Sequence, residues 1–259
     1  MDQLLIRGGG DLASGVALRL HRCGFKAIIV ELACPLAVRR TVSFSEAIYS
    51  GEITIEGLCA RRADSTAEAL HLVQMGILPV MVDPHSNILK DVRFSAVIDA
   101  RLLKREADSS LVAAPLVIGL GPGFTCGKNC HAVVETQRGH NLGRVFWVGS
   151  ASDDTGQPDG DPRRVLRAPQ DGILIGHAQI GEHVIENQVI AEIAGLLIKA
   201  PIAGTLRGLI RPGVSINKGM KIGDIDLRDD PGYCFTVSDK ALAVGGGVLE
   251  ALLSASLRS

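Results

Sequence analysis

The chain has 259 residues, of which 46% are hydrophobic and 3% aromatic, and its formal net charge at pH 7 is −1. This length allows one large domain or two ordinary ones, with cores built of aliphatic rather than aromatic side chains. The balanced charge and the scarcity of aromatic residues argue against a nucleic-acid partner and against an anionic membrane surface.

The sequence also lacks the features of an exported or membrane protein. No basic region followed by a long apolar region is visible at the start, and the longest uncharged run, residues 109–127, contains two prolines and four glycines. The six cysteines show no disulfide spacing. We therefore expect a cytoplasmic protein with free thiols and no membrane contact.

Short apolar runs alternate with amphipathic stretches in the first half of the chain. This alternation predicts a mainly parallel sheet that is covered by helices on both faces. The predicted strands are Leu4–Ile6, Ala27–Leu32, Pro79–Val82, Ala96–Ile98, Leu116–Ile118 and Ala132–Val134. The predicted helices are Leu12–Cys23, Ser43–Tyr49 and Ser65–Met75, the last with a capping box at its start.

The second half begins after a loop rich in Gly, Asp and Pro, residues 150–162, which predicts a domain boundary. Residues 167–193 then repeat at residues 199–225 without a gap, a period of 32 residues. Two copies of this length predict two interlocked β-halves, each of which covers the apolar face of the other. The pattern is similar to biotinyl and lipoyl carrier domains, but the turn between the halves, residues 194–196, has no lysine to modify.

A helix is predicted near the end of the chain, with Ser238 as its N-cap. Three consecutive glycines, Gly245–Gly247, are unfavourable inside a helix by about 1 kcal/mol each. We therefore expect either a break or a close backbone approach at these glycines.

The expected fold class is α/β. Residues 1–150 are expected to form a Rossmann-like, mainly parallel sheet domain that binds a nucleotide, and residues 151–162 a linker. Residues 163–229 are expected to form a small all-β barrel-sandwich module, unmodified and built of the two half-repeats, and residues 230–259 a C-terminal helical segment.

The turn after the first predicted strand is the main candidate binding site. Gly8, Gly10 and Ala13 match the pattern G-x-G-x-x-G/A, in which glycines let the backbone approach a pyrophosphate at a helix N-terminus. Glu31, at the end of the second predicted strand, is placed to bind a ribose hydroxyl. Asp11 either caps the helix or adds a negative charge close to the anion. A tight turn without any ligand remains the alternative.

Two further groups of residues are candidates for the same ligand. Arg39 and Arg40 follow a proline-containing loop and could contact a phosphate, although a solvated pair of charges explains them equally well. A second glycine loop contains Gly119, Gly121 and Gly123 and follows a predicted strand, so we expect it at the carboxyl edge of the sheet.

The catalytic candidates are Cys126, Arg138 and His140. Cys126 lies beside the second glycine loop, where its pKa could be lowered, but the spacing Cys126-x-x-x-Cys130 does not match a structural zinc site. No metal is therefore expected, and ordinary loop cysteines are preferred. Arg138 and His140 lie in a polar segment between glycines, which is suited either to an anion clamp or to a plain turn.

Several segments together resemble the accessory proteins of the selenium-dependent molybdenum hydroxylase system. They include RGGGDLASGVALRLHRCGF (residues 7–25), PLVIGLGPGFT, VVETQRGHNLGRV and KAPIAGTLRGLIRPG. The resemblance spans nearly the whole chain. It implies a cytosolic bacterial protein that acts with a molybdenum hydroxylase or its maturation machinery, and it assigns no catalytic residue.

Three functions stay open at this point. The first is an accessory or maturation factor that binds a phosphate-bearing small molecule, with NAD, another adenine nucleotide or molybdopterin cofactor as the possibilities. The second is an NAD-dependent oxidoreductase acting on a small substrate, with His140 as its proton-transfer group. The third is a scaffold whose glycine turn binds nothing. The residues do not establish whether the protein is an enzyme.

Overall fold

The computed structural model describes residues 3–156 and 160–257, except the side chain of Ser256. They form two compact units, each with a hydrophobic core of its own. Unit 1 contains the described residues of Met1–Pro35, Ser43–Thr155 and Val237–Ser259, and unit 2 those of Leu36–Val42 and Gly156–Thr236. The predicted linker, residues 151–162, lies partly outside the described residues. No helix in the described ranges is long and apolar enough to cross a membrane.

Unit 1 is built on a nine-stranded sheet whose order is β3-β4-β5-β2-β1-β6-β7-β8-β9. The strands are β1 Gln3–Arg7, β2 Lys26–Glu31, β3 Glu52–Ile55, β4 Leu58–Ala63, β5 Leu78–Val82, β6 Ala96–Asp99, β7 Leu116–Leu120, β8 Ala132–Val134 and β9 Val145–Phe146. The helices of this unit are α1 Asp11–Arg22, α2 Ala47–Ser50, α3 Thr66–Gln74 and α4 Asp239–Ser256. The apolar runs read from the sequence all lie in strands of this sheet.

The two faces of the sheet carry separate buried clusters. Side chains of α1 and α4 pack on one face and side chains of α3 on the other. The capping box at the start of α3 is confirmed, since the Ser65 hydroxyl accepts from the Glu68 N–H at 3.2 Å. The hairpin of β3 and β4 was not predicted. Its turn has positive φ at Glu56 and Gly57 (45° and 86°), and the polar residues in its strands mask the apolar pattern.

Helix α4 begins at the predicted cap, where the Ser238 hydroxyl accepts from the Ala241 N–H at 3.2 Å. The three glycines do not break it, and the expected close approach explains two of them. A Cβ on Gly245 would lie 2.8 Å from the Gly15 carbonyl oxygen of α1, and one on Gly247 would lie 2.2 Å from the carbonyl oxygen of Gly143. These glycines therefore let α4 pack directly on neighbouring backbone.

Unit 2 consists of two four-stranded antiparallel sheets, of order β10-β17-β15-β12 and β14-β13-β11-β16. The strands are β10 Val165–Arg167, β11 Gly172–Gly176, β12 His183–Val184, β13 Val189–Ile193, β14 Leu196–Lys199, β15 Gly204–Leu209, β16 Ser215–Ile216 and β17 Lys221–Asp226. Each sheet takes two strands from each copy of the repeat. Residues at equal positions in the two copies have the same role: Leu174 and Leu206 are both fully buried.

The predicted fold class, a Rossmann-like mainly parallel domain with a barrel-sandwich module, is wrong, whereas the C-terminal helix that was predicted with it is present as α4. The large sheet is mixed, because β3 pairs antiparallel with β4 and β9 pairs antiparallel with β8. The prediction also requires a helix in each connection between parallel strands. Between β5 and β8, however, a stretch that the structure describes in full, the connections contain no α-helix, only the short 3-10 turns Asn87–Lys90 and Leu111–Ala113. The observed architecture is this mixed sheet together with two antiparallel sheets.

Candidate functional site

The glycine turn after β1 combines two glycines that the fold requires with one that it does not. Gly8 has a φ of +91°, and Cβ atoms on Gly8 and Gly9 would lie 3.3 Å from the Ala100 carbonyl oxygen and 2.9 Å from the Ser45 nitrogen. At Gly10, by contrast, no atom lies within 4 Å of the position that a Cβ would take. Gly10 is therefore the point at which another molecule can approach the backbone.

Helix α1 starts directly at this open glycine. Its N-cap is Gly10, which has no side chain to accept the first N–H groups of the helix, and Asp11 accepts the N–H of Leu12 at 3.0 Å. Ala13 is buried and keeps α1 close to the strand. The N-terminus of a helix carries a partial positive charge, which favours an anion at this position.

The Glu31 carboxylate lies against the same turn. One of its oxygens accepts the N–H of Gly9 at 2.6 Å and the other accepts the N–H of Leu32 at 2.7 Å. These two bonds fix the side chain at the end of β2. The structure thus brings together Gly8, Gly10, Asp11, Ala13 and Glu31, as the sequence pattern predicted.

The turn also lies where the strand order of the sheet divides. From β1 the sheet continues through β2 to β5 on one side and through β6 to β7 on the other. All these neighbours are parallel, so their carboxyl ends meet at one edge. Ligands of open α/β sheets bind in the crevice that forms at such a division.

A buried ion network beside the turn was not predicted. The Arg7 Nη1 atom donates to Asp99 at 3.1 Å and to Ser109 at 3.0 Å, and Arg101 binds both Asp99 and Asp108. Asp99 is completely buried. Burial is the main cause that lowers the pKa of Arg7, and hydrogen bonds to the two aspartates raise the pKa of Arg101 in spite of burial. Arg7 is 92 residues from Asp99 and 102 from Ser109, so no local pattern indicates that these side chains meet.

The glycines of the second loop are explained by packing within unit 1. A Cβ on Gly119 would lie 2.1 Å from the Phe124 ring, and one on Gly123 would lie 2.5 Å from the carbonyl oxygen of Arg105. Gly121 is buried and has a φ of +83°. The backbone needs glycine at these positions whether or not a ligand is present, and their role in binding stays a prediction.

The two cysteines after this loop lie in an environment that disfavours a thiolate. Burial raises the pKa of Cys126 and raises that of Cys130 to about 12. The Cys126 Sγ atom donates to the Phe146 carbonyl at 3.3 Å. A thiol that stays protonated is a poor nucleophile and a poor metal ligand. Within the described ranges, no three His, Cys, Asp or Glu side chains are grouped so that they could hold a metal ion.

The other two catalytic candidates, Arg138 and His140, have different surroundings. Both Arg138 Nη atoms bind the carboxylate of Asp239 at 2.8 Å, which ties the segment before β9 to the first turn of α4. His140 is exposed in a turn. The arginine thus has a structural partner.

Arg39 and Arg40 belong to unit 2, where they bind backbone carbonyls. The Arg39 Nη2 atom donates to the carbonyls of Tyr233 and Thr236 at 3.0 and 3.3 Å, and the Arg40 Nε atom donates to that of Leu209 at 3.2 Å. Arg39 is 9% exposed. These contacts support the segment Leu36–Val42 within unit 2.

Comparison with known proteins finds one curated relative at high identity. No family model matches the chain. The protein named "Uncharacterized protein YqeB" of Escherichia coli (strain K12) is 49% identical over 254 residues, which cover 96% of this chain and 47% of the relative. The chain therefore spans about half the length of that relative. This similarity supports the resemblance found in the sequence only as a relationship to YqeB. The relative's printed name supplies no selenium or molybdenum role.

Solved structures give only a distant likeness. The ectoine utilization protein EutE (DoeB) of Ruegeria pomeroyi has a TM-score of 0.28 at 10% identity, covering 86% of this chain and 85% of that one. An aspartoacylase family protein of Mesorhizobium loti has 0.28 at 14% identity, covering 86% and 84%. A succinylglutamate desuccinylase of Silicibacter has 0.27 at 13%, also covering 86% and 84%. TM-scores of this size carry no argument about fold or activity.

The function expected from the sequence is corrected by these comparisons. The printed names of the curated relative and of these structures mention no molybdenum hydroxylase, no nucleotide and no dehydrogenase. We therefore abandon both the accessory-factor expectation and the NAD-dependent alternative. What the chain is similar to is YqeB, over almost all of its own length.

Proposed function

We propose that this chain binds a small phosphate-bearing molecule at the glycine turn of unit 1. The proposal rests on the position of Gly10, where no atom lies within 4 Å of the place that a Cβ would take. Gly10 is also the N-cap of α1, and it follows β1, the strand at which the strand order of the sheet divides. A phosphate oxygen suits this position because a helix N-terminus favours an anion and no atom lies within 4 Å of the place that a Cβ on Gly10 would take.

The charges around the turn restrict the kind of molecule. Glu31 and Asp11 are negative, so a bare anion would be repelled unless the rest of the ligand compensates. The oxygens of Glu31 accept hydrogen bonds, which favours a ligand with hydroxyl groups beside its phosphate. Arg7, immediately before Gly8, forms an ion pair with Asp99, and its buried Nε atom has no acceptor among the described residues. A hydroxylated phosphate ester fits this set of groups.

The Gly10→Ala substitution tests this proposal. The backbone at Gly10 has φ −67° and ψ −177°, which alanine adopts freely, and nothing crowds the new methyl group. We expect the variant to fold and to bind ribose 5-phosphate at least tenfold more weakly than the wild type, and pyrophosphate serves as a second probe without hydroxyl groups. Isothermal titration calorimetry measures the affinity.

Gly246→Ala is the matched control, because Gly246 is also uncrowded but lies in the middle of α4. Its affinity should equal that of the wild type. If the wild type binds neither probe at millimolar concentration, or if Gly10→Ala binds as tightly as the wild type, the proposed function is wrong.

A further inference from the structure

The short 3-10 turn Phe44–Glu46 lies directly on the glycine turn. The Ser45 N–H donates to the Gly9 carbonyl at 2.9 Å, and the Phe44 N–H donates to the Ser14 hydroxyl in the first turn of α1 at 2.8 Å. The Ser45 Cβ atom lies only 3.2 Å from the position that a Cβ on Gly9 would take. The Ser45 side chain therefore starts in contact with the turn to which the proposed ligand binds.

Ser45 is almost completely buried, at 1% exposure, and its hydroxyl has no hydrogen-bond partner within the described residues. Leaving a buried hydroxyl unpaired is unfavourable, and most buried polar groups in folded proteins are paired. An alanine would fill the same place without this cost. Because Ser45 contacts the open glycine turn, its unpaired hydroxyl is placed for a partner that arrives from outside the chain.

The position of this hydroxyl identifies the chemistry of that partner. It adjoins a helix start that has no side-chain cap and favours an oxyanion, and a serine hydroxyl donates readily to a phosphate oxygen. We infer that the Ser45 hydroxyl donates a hydrogen bond to an oxygen of the phosphate bound at the glycine turn. This inference rests on the proposed function and adds Ser45 to the ligand-binding residues.

A hydroxyl kept for a ligand has an unusual mutational signature. Ser45→Ala removes an unsatisfied group from the free protein, so its unfolding midpoint should equal or exceed that of the wild type. The same variant loses a hydrogen bond to a charged ligand, so it should bind ribose 5-phosphate at least tenfold more weakly. A serine needed only for packing would not produce opposite effects on stability and affinity.

Ser86→Ala is a matched control. Ser86 is 4% exposed, and its hydroxyl is also buried without a partner in the described part of the chain. It follows β5, which lies two strands from β1, about 10 Å at the usual strand spacing. Ser86→Ala should therefore leave the affinity for ribose 5-phosphate unchanged.

The experiment is calorimetric titration of the full chain with ribose 5-phosphate, combined with thermal unfolding of each variant. Wild-type binding together with equal affinity in Ser45→Ala would overturn this inference and leave the proposed function intact. Failure of the wild type to bind would overturn both. If Ser45→Ala does not fold, Ser45→Cys replaces it as a near-isosteric variant with a weaker donor, and the same loss of affinity is expected.

Discussion

At the level of single residues, the sequence predicted the parts of the site that belong to one local pattern. Gly8, Gly10 and Glu31 come together because two parallel neighbouring strands end at the same edge. The contacts of Arg7 with Asp99 join residues 92 positions apart, and no short pattern encodes such a pair. Ser45 was missed for the same reason, since only the folded chain places it on Gly9.

Individual residues also determine how the stability of unit 2 depends on pH. A hydrogen bond from Arg228 at 2.5 Å is the main cause that lowers the pKa of Asp226 to about 2. Because the folded-state pKa lies below that of a free carboxyl, the stabilisation is complete above pH about 4 and is lost as the pH falls towards 2.

We therefore expect Asp226→Asn to destabilise unit 2 by about 2 kcal/mol at pH 7 and to remove most of the loss of stability between about pH 4 and 2. Urea unfolding at several pH values measures both effects. Asp64→Asn serves as the control, because Asp64 pairs with Arg62 on the surface, where such pairs contribute little. Equal pH profiles for Asp226→Asn and the wild type would contradict the assignment.

At the level of elements, apolar runs predicted the central strands because these strands are buried on both faces and therefore contain few polar residues. The same pattern could not show that helices are missing from the later crossovers. Whether a crossover needs a helix depends on which other segment covers the sheet. Here α4 packs on the sheet, and in the sequence α4 comes after all of unit 2.

The glycines of α4 allow a direct test of this packing. Gly247→Ala should destabilise unit 1 by several kcal/mol, because the new methyl group would overlap the Gly143 carbonyl, 2.2 Å away. The adjacent Gly246 faces no neighbour, and Gly246→Ala should stabilise the helix by up to about 1 kcal/mol. Denaturant unfolding of the two variants should therefore give changes of opposite sign, and changes of the same sign would refute the packing argument.

At the level of the whole molecule, the 32-residue repeat gave more information than any single strand. It predicted that the two halves would interlock, and each sheet of unit 2 indeed takes two strands from each copy. The sequence did not show that a piece of the first half of the chain, Leu36–Val42, belongs to unit 2. A segment of seven residues has too little periodicity to indicate where it packs.

The contacts of Arg39 predict how much this segment contributes to unit 2. Arg39→Ala removes two hydrogen bonds to backbone carbonyls and a buried side chain, so we expect a loss of about 2 kcal/mol or more in unfolding free energy. Arg40→Ala removes one bond to Leu209 from a more exposed site and should cost less. Urea denaturation of both variants measures the difference, and the reverse order would contradict the structural role assigned to Arg39.

The position of α4 in the chain has a consequence for synthesis. Ala241, Val244, Val248 and Ala251 of this helix are fully buried in the core of unit 1, yet all of unit 2 is translated before them. Until α4 leaves the ribosome, one face of the nine-stranded sheet keeps apolar side chains in contact with water. Nascent chains in that state are prone to aggregation, and a chaperone that holds apolar surface would have its longest period of contact at this stage.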